Sequence, residues 1–373
     1  SIIVQSANKK KVLFILPFLL RLRRGIETSG LALVNGLHNM GHDLLIYTCD
    51  GQTGLDPYSI LESKKIRVVP SIRYFQWILA KLFYLIYILI DRPDSIVIYF
   101  GCYGESIPIR ILKFFKKVNV TFIVGYPYEL VPHRFHDFKK HRIINKVDNV
   151  IVKSEPMMND VSRYFEKDVH LIGNGVDTNH FCKANGNQNT VREKYNIPTN
   201  ATLLLTVAAL EKRKGIQSII SSMDRIGVKN NLFYIILGEG PDRSYLENII
   251  INSNAKENII LAGQKRNIID YYAASDVFLL MSKGEGYPNV ILEACSMELP
   301  IIVSENNPYP KLGKSIELVM IPDGNQYMLD NTIKGIMNNN IDLKSSLKKN
   351  RSYVKQYMNW EIIADRYEKV IVC

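Results

Sequence analysis

Residues 277 to 303 read VFLLMSKGEGYPNVILEACSMELPIIV, and their pattern decides the fold. One continuous apolar run ends at Met281, a loop bearing Gly and Pro follows, a helix is expected from Pro288 or Asn289 to about Met297, and a second apolar run begins at Ile301. Apolar runs without alternation, joined through a helix, predict parallel strands covered on both faces. Pro is expected in the first helical turn, where its missing N–H is no loss.

The same unit recurs along the chain. Candidate strands lie at 11–16, 44–48, 66–69, 96–100, 120–124, 149–152 and 169–172, and after a polar loop, ANGNQNT, at 203–207, 233–237, 259–261, 277–281, 301–303 and 318–320. Helical-period segments separate nearly all of them. Two such runs predict two doubly wound α/β domains with a boundary near residue 173. Ligands of these folds sit beyond the carboxyl ends of the strands, so the loops after the strands are where chemistry belongs.

The 373 residues, 47% of them hydrophobic, suffice for two domains with their own cores and exclude a disordered or fibrous chain. Five scattered cysteines, Cys49, Cys102, Cys182, Cys295 and Cys373, show no C-x-x-C spacing, which argues against a disulfide framework or a zinc site and for a reducing cytosol. Lys9, Lys10 and Lys11 lead into a strand-like run rather than a signal peptide. The net charge of +11 is uneven: residues 1 to 180 hold 24 basic against 16 acidic side chains. Such a surplus suits nucleic acid, anionic lipid or phosphorylated substrates, or is simply a solvated surface.

Within the loop, Gly284 and Gly286 permit close approach of backbone to a ligand. The start of the following helix is a ready anion site. Glu285 and Glu293 would repel a phosphate, but an ionised carboxylate accepts two hydrogen bonds and can clamp a diol. A phosphate flanked by two polyols describes a sugar nucleotide; the alternative is a carboxylate that only satisfies the helix dipole.

These residues resemble a known family. KGEGYPNVILEA is similar to the E-x7-E element of retaining GT-B glycosyltransferases, the large nucleotide-sugar-dependent class of family 4, or glycosyl transferases group 1. Five further stretches are similar to that family's motifs in the same order: RGIETSGLALVNGLHNMGHDL (24–44), LIGNGVDTNHF (171–181), LLLTVAALEKRKGIQSII (203–220), LGEGPDRSYLE (237–247) and WEIIADRYEKVI (360–371). The resemblance implies two Rossmann-like domains facing across a cleft. Residues 1–173 would bind the acceptor, 174–355 the nucleotide sugar, and 356–373 would form a helix crossing back to the first domain. It also implies retention at the anomeric carbon, no metal and no cofactor beyond a donor substrate, UDP- or GDP-linked.

Carried over by position, Lys214 pairs with the diphosphate, Glu293 with the ribose, and Glu285 with the backbone of Gly286, Tyr287, Pro288, Asn289 and Val290 holds the transferred sugar. Gly25 closes on the phosphates from the first domain, and Gly240 forms a turn beside the donor. The chain also departs from the pattern. Ala209 stands where the family usually has an arginine, with Arg213 the candidate substitute. Arg24 replaces the first glycine of the Gly-Gly loop and is placed to reach a phosphate. Near the acceptor, where a histidine is usual, the chain reads GYPYELVPHRFH, so Tyr126, Tyr128, Glu129, His133 and His136 are the candidates.

The stretch SIRYFQWILAKLFYLIYILI, 71 to 90, is apolar nearly all round but interrupted by Lys81. Such a helix is either core or an interfacial membrane element. The expectation is a cytoplasmic enzyme, peripheral on the inner membrane face through weak anionic contact. It would move a sugar onto a glycan or lipid-linked acceptor in bacterial surface polysaccharide assembly, without nucleic acid. The rival readings are a degenerate, non-catalytic GT-B protein, a glycoside hydrolase using the two glutamates, and a DNA-modifying glucosyltransferase.

Overall fold

The computed structural model describes residues 9–16, 25–49, 65–69, 76–99, 106–125, 147–162, 165, 168–227, 231–305, 315–338, 340–341 and 345–372. The chain divides into two compact units, the first holding residues up to Gly175 and from Trp360 onward, the second Val176–Asn359. The boundaries expected at 173 and 355 therefore fall at 175 and 359. Chain pairing sets them: Gly175 lies so close to Trp360 that a Cβ would come within 3.0 Å of its backbone, while Val176 bridges Asn359.

The first unit is a parallel sheet of β1 (Lys11–Ile15), β2 (Asp43–Cys49), β3 (Lys65–Val69), β4 (Ser95–Tyr99), β5 (Asn119–Val124), β6 (Asn149–Val152) and β7 (Val169–Leu171), in the order β3-β2-β1-β4-β5-β6-β7. Alternate strand residues face opposite sides. Leu13, Ile96 and Phe122 pack on one face with Tyr84, Ile88 and Leu112, while Val12, Val97 and Ile123 pack on the other with Leu33, Ile363 and Tyr367. Covered on both sides, β4 has no polar face and is buried throughout, which is why its sequence, SIVIY, lacks alternation.

Helix Trp360–Ile371 completes this second layer against helix Gly25–Asn39, where Gly36 leaves room for Ala364. Polar contacts fix it: His42 Nε2 lies 2.7 Å from Glu368 Oε1, Tyr367 donates to the Ile172 carbonyl at 3.0 Å, and the Asn119 amide donates to the carbonyls of Val370 and Ile371.

The second unit is a parallel sheet of β8 (Thr202–Val207), β9 (Leu232–Leu237), β10 (Ile259–Gly263), β11 (Val277–Leu280), β12 (Ile301–Ser304) and β13 (Val319–Ile321), in the order β10-β9-β8-β11-β12-β13. Strand order reverses between β8 and β11, and a crevice for ligands is expected beyond the carboxyl ends at such a switch point. The helix after β11 runs Asn289–Ser296. Pro288, expected in the first turn, instead caps the helix in extended backbone, ψ 92°.

Helix Gln76–Asp91 is neither wholly buried nor wholly exposed. Tyr84 and Ile88 are core, and Asp91, buried, accepts from Tyr47 Oη at 2.9 Å and from Arg67, whereas Leu82, Ile86, Leu89 and Ile90 are exposed. Among the described residues no helix is long and apolar enough to cross a membrane.

Candidate active site

At the carboxyl edge of the second sheet, three loops are stitched together by backbone. The Ala208 and Leu210 amides donate to the carbonyls of Leu237 and Glu239, and the Lys212 amide donates to Asp242 at 2.6 Å, so the loops after β8 and β9 are tied together. Gly238, at φ +142°, lies where a side chain would collide with the Ala208 carbonyl. Gly240 packs on the Leu210 backbone in the same way, so its visible role is this close approach. On the other side the Lys283 amide donates to the Arg213 carbonyl at 2.7 Å. Gly215, at φ +69°, is the terminal residue of the Lys212–Lys214 turn, and a side chain there would strike the Met281 carbonyl.

This stitching brings together Lys214 and Glu285, 71 positions apart in sequence. Lys214 Nζ donates to Glu285 Oε1 in a pair nearly closed off from solvent, with 12% and 10% of the side chains exposed. Arg213 faces the same way: its Nη1 lies 4.0 Å from Glu285 Oε2 and 3.3 Å from the Gly284 carbonyl, while its Nε holds Glu211 at 2.6 Å. Arg213, the expected substitute for the missing arginine, thus stands on the same side as Lys214 but is held chiefly by Glu211. Ala209 is exposed at the mouth of the same loop. Two cations converging on one carboxylate, in a poorly solvated crevice, form a strongly preorganised patch.

Glu293 lies in helix Asn289–Ser296, one of the elements that carry the loop. It accepts a hydrogen bond of 2.8 Å from Tyr272 Oη, which also reaches the Val290 carbonyl at 3.4 Å. The carboxyl keeps a little exposed surface, yet protein crowds it closely, and this desolvation pushes its pKa up to about 7 against the opposing pull of the tyrosine bond. Tyr272 is pushed well above the usual phenol range by its own burial and by Glu293. Its ring, stacked on Phe278 and edge-on to Phe181 at 5.9 Å each, holds the hydroxyl in place. Tyr287 and Asn289 flank the turn, half-buried, and Gly286 and Pro288 are buried.

In the first unit, Gly25 is the first residue of helix Gly25–Asn39, directly after the region of Arg24. Arg24, Tyr126, Tyr128, Glu129, His133 and His136 lie outside the described residues. A residue that the sequence did not single out stands at the carboxyl edge here. Lys153, just past β6, is buried and donates to Tyr99 Oη, to Asn174 Oδ1 at 2.7 Å and to Ser29 Oγ at 3.2 Å. Burial without a carboxylate among these partners lowers its pKa to about 7. Among the described residues no three His, Cys, Asp or Glu side chains gather as a metal-binding group.

Comparison with known proteins follows this division. The model "Glycosyl transferases group 1" matches residues 187–356, and "Glycosyltransferase Family 4" matches residues 23–180. The O-antigen biosynthesis glycosyltransferase WclY of Escherichia coli is 30% identical over 135 residues, 36% of this chain and 37% of that protein. A UDP-Gal:alpha-D-GlcNAc-diphosphoundecaprenol alpha-1,3-galactosyltransferase of Escherichia coli is 34% identical over 145 residues, 37% of each chain. In both, the match spans well under two thirds of the relative. The structure of HepE from Anabaena, solved with UDP and glucose, superposes with a TM-score of 0.81 over 97% of this chain and 99% of that one at 14% identity, a likeness of fold.

Proposed function

The chain belongs to the group 1, family 4 glycosyltransferases of GT-B fold, and we propose that it transfers a sugar, with retained anomeric configuration, from a nucleoside diphosphate donor to a glycan or lipid-linked acceptor in bacterial surface polysaccharide assembly. The pairing of Lys214 with Glu285, with Arg213 nearby, just before a helix that carries the Tyr272-supported Glu293 about one turn in, carries this reading. The relatives act in O-antigen assembly and on a diphosphoundecaprenol-linked sugar by their names, which supports the acceptor class.

In this reading the bond between anomeric carbon and diphosphate oxygen breaks with its electron pair leaving on the diphosphate. The acceptor hydroxyl oxygen forms the new bond and gives up its proton to the departing diphosphate oxygen. Negative charge grows on the leaving group, and Lys214, held by Glu285, and Arg213, held by Glu211, are preorganised to face it. Glu285 lies by the sugar, where positive charge develops. Glu293 accepts from the ribose diol. UDP- and GDP-sugars are the favoured donors, and the enzyme works at the inner face of the cytoplasmic membrane through weak anionic contact.

A thermal-shift screen of UDP-, GDP-, ADP- and dTDP-sugars tests the donor. At 100 times its dissociation constant a true donor stabilises the fold by about 2.7 kcal/mol. The sugar released on slow donor hydrolysis, followed by NMR, then reports the anomeric outcome. Stabilisation by no nucleotide sugar rejects the reading, and inverted product rejects retention alone.

A further inference from the structure

The apolar helix before β4 holds Tyr84 and Tyr87 against the core, where Tyr87 packs edge-on to Tyr47 and under Arg67. Its opposite flank is a different surface. Leu82, Ile86, Leu89 and Ile90 recur at helical spacing and stay exposed, Ile90 at 61%. The neighbouring helix Ser106–Phe115 ends in Phe114 and Phe115, exposed at 85% and 74%, the most exposed large apolar side chains of this unit among the described residues. The two helix ends are adjacent: Lys116 Nζ donates to the Arg92 carbonyl at 3.0 Å and pairs with Asp94 at 2.6 Å. Leu89–Ile90 and Phe114–Phe115 therefore belong to neighbouring helix ends.

Cations outnumber carboxylates around this apolar surface. Residues 106–117 hold Arg110, Lys113, Lys116 and Lys117 and no acidic side chain. Lys113 is matched by Asp148 and Lys116 by Asp94, but exposed Arg92, Arg110 and Lys117 face no carboxylate among the described residues. We propose that the first unit docks on an anionic lipid bilayer through the paired helices Gln76–Asp91 and Ser106–Phe115, with Phe114 and Phe115 entering the acyl boundary. An apolar strip bordered by cations is the pattern of an element lying in the membrane interface. A second copy fits less well, because a two-fold contact would set these unpaired cations against their own equivalents. Both helices end where β4 and β5 begin, at the amino edge of the sheet, so docking leaves the carboxyl edge clear.

The proposal rests on the membrane contact suggested above and not on the transfer reaction. Flotation with vesicles of phosphatidylglycerol and phosphatidylcholine, and of phosphatidylcholine alone, at low and high salt tests it on the full chain. The expected result is salt-sensitive binding to the anionic vesicles that Phe114→Ser/Phe115→Ser weakens about tenfold or more and Arg110→Ala/Lys117→Ala weakens at low salt only. Tyr327→Ser, which removes an exposed aromatic from the second unit, leaves binding unchanged. Melting curves of the variants should match the parent, since these side chains lie outside the core. Binding to no vesicle overturns the contact while leaving donor transfer standing. Binding that survives Phe114→Ser/Phe115→Ser assigns the contact to another surface. A dimer that the same variant dissociates, without vesicle binding, makes a second copy the occupant.

Discussion

Glu285 and Glu293 differ in their surroundings, and their variants should differ in kind. Glu285 is held by Lys214 with Arg213 nearby, and in the proposed role beside the transferred sugar Glu285→Gln should lower kcat about tenfold or more with a smaller change in donor affinity. Steady-state kinetics with donor binding to the free enzyme would show it. Glu293 has a raised pKa, near 7. A carboxylate must be ionised to accept both ribose hydroxyls, so donor affinity should rise from pH 6 to pH 8 and flatten in Glu293→Gln. The same shift gives the donor-free fold stability that is full below the unfolded pKa and lost as pH rises through 7, a slope that Glu293→Gln should remove from denaturant titrations. Lys153 has the opposite sign: its depressed pKa gives stability present above the unfolded value of about 10.5 and lost as pH falls through about 7. Lys153→Met should cancel that slope. The glutamates were legible from their spacing across one loop and the helix that follows it. Tyr272 and Lys153 were not, because their partners lie in distant segments and a lysine after a strand reads as surface.

At the scale of elements, the crevice depends on how closely the loops after β8 and β11 can approach. Gly215→Ala combines positive φ with a collision against the Met281 carbonyl. It should cost about 1–3 kcal/mol of stability and separate Lys214 from Glu285, so that donor affinity falls even though no contacting group is lost. Chemical denaturation alongside donor titration checks both parts. The strands were readable because double-sided burial removes alternation, as in SIVIY of β4. Helix Gln76–Asp91 was not, since an all-round apolar helix hides which flank meets the core; only packing of Tyr84 and Ile88 reveals it. Pro288 stands one position earlier than its preference for the first turn implies, because its φ of −85° also fits the extended cap.

Across the whole molecule, the first unit is completed only when the chain returns to it at Trp360. Gly36 lies against Ala364 with no room for a side chain, so Gly36→Leu should destabilise this unit by about 1–3 kcal/mol. Calorimetry should show its transition lowered by several degrees, at roughly 2–4 °C per kcal/mol, with that of the second unit unmoved. The return was legible from WEIIADRYEKVI only through family likeness; nothing in its periodicity names the partner helix Gly25–Asn39. The central claim is that a nucleotide sugar is held at Lys214. Calorimetric titration of the full chain and of Lys214→Ala with UDP-, GDP-, ADP- and dTDP-sugars tests this most directly. One donor should bind the parent, and Lys214→Ala should weaken it by about 1.5–3 kcal/mol, the loss of a charge-assisted phosphate contact. Equal affinity in the variant, or binding of none of the donors, would contradict the account.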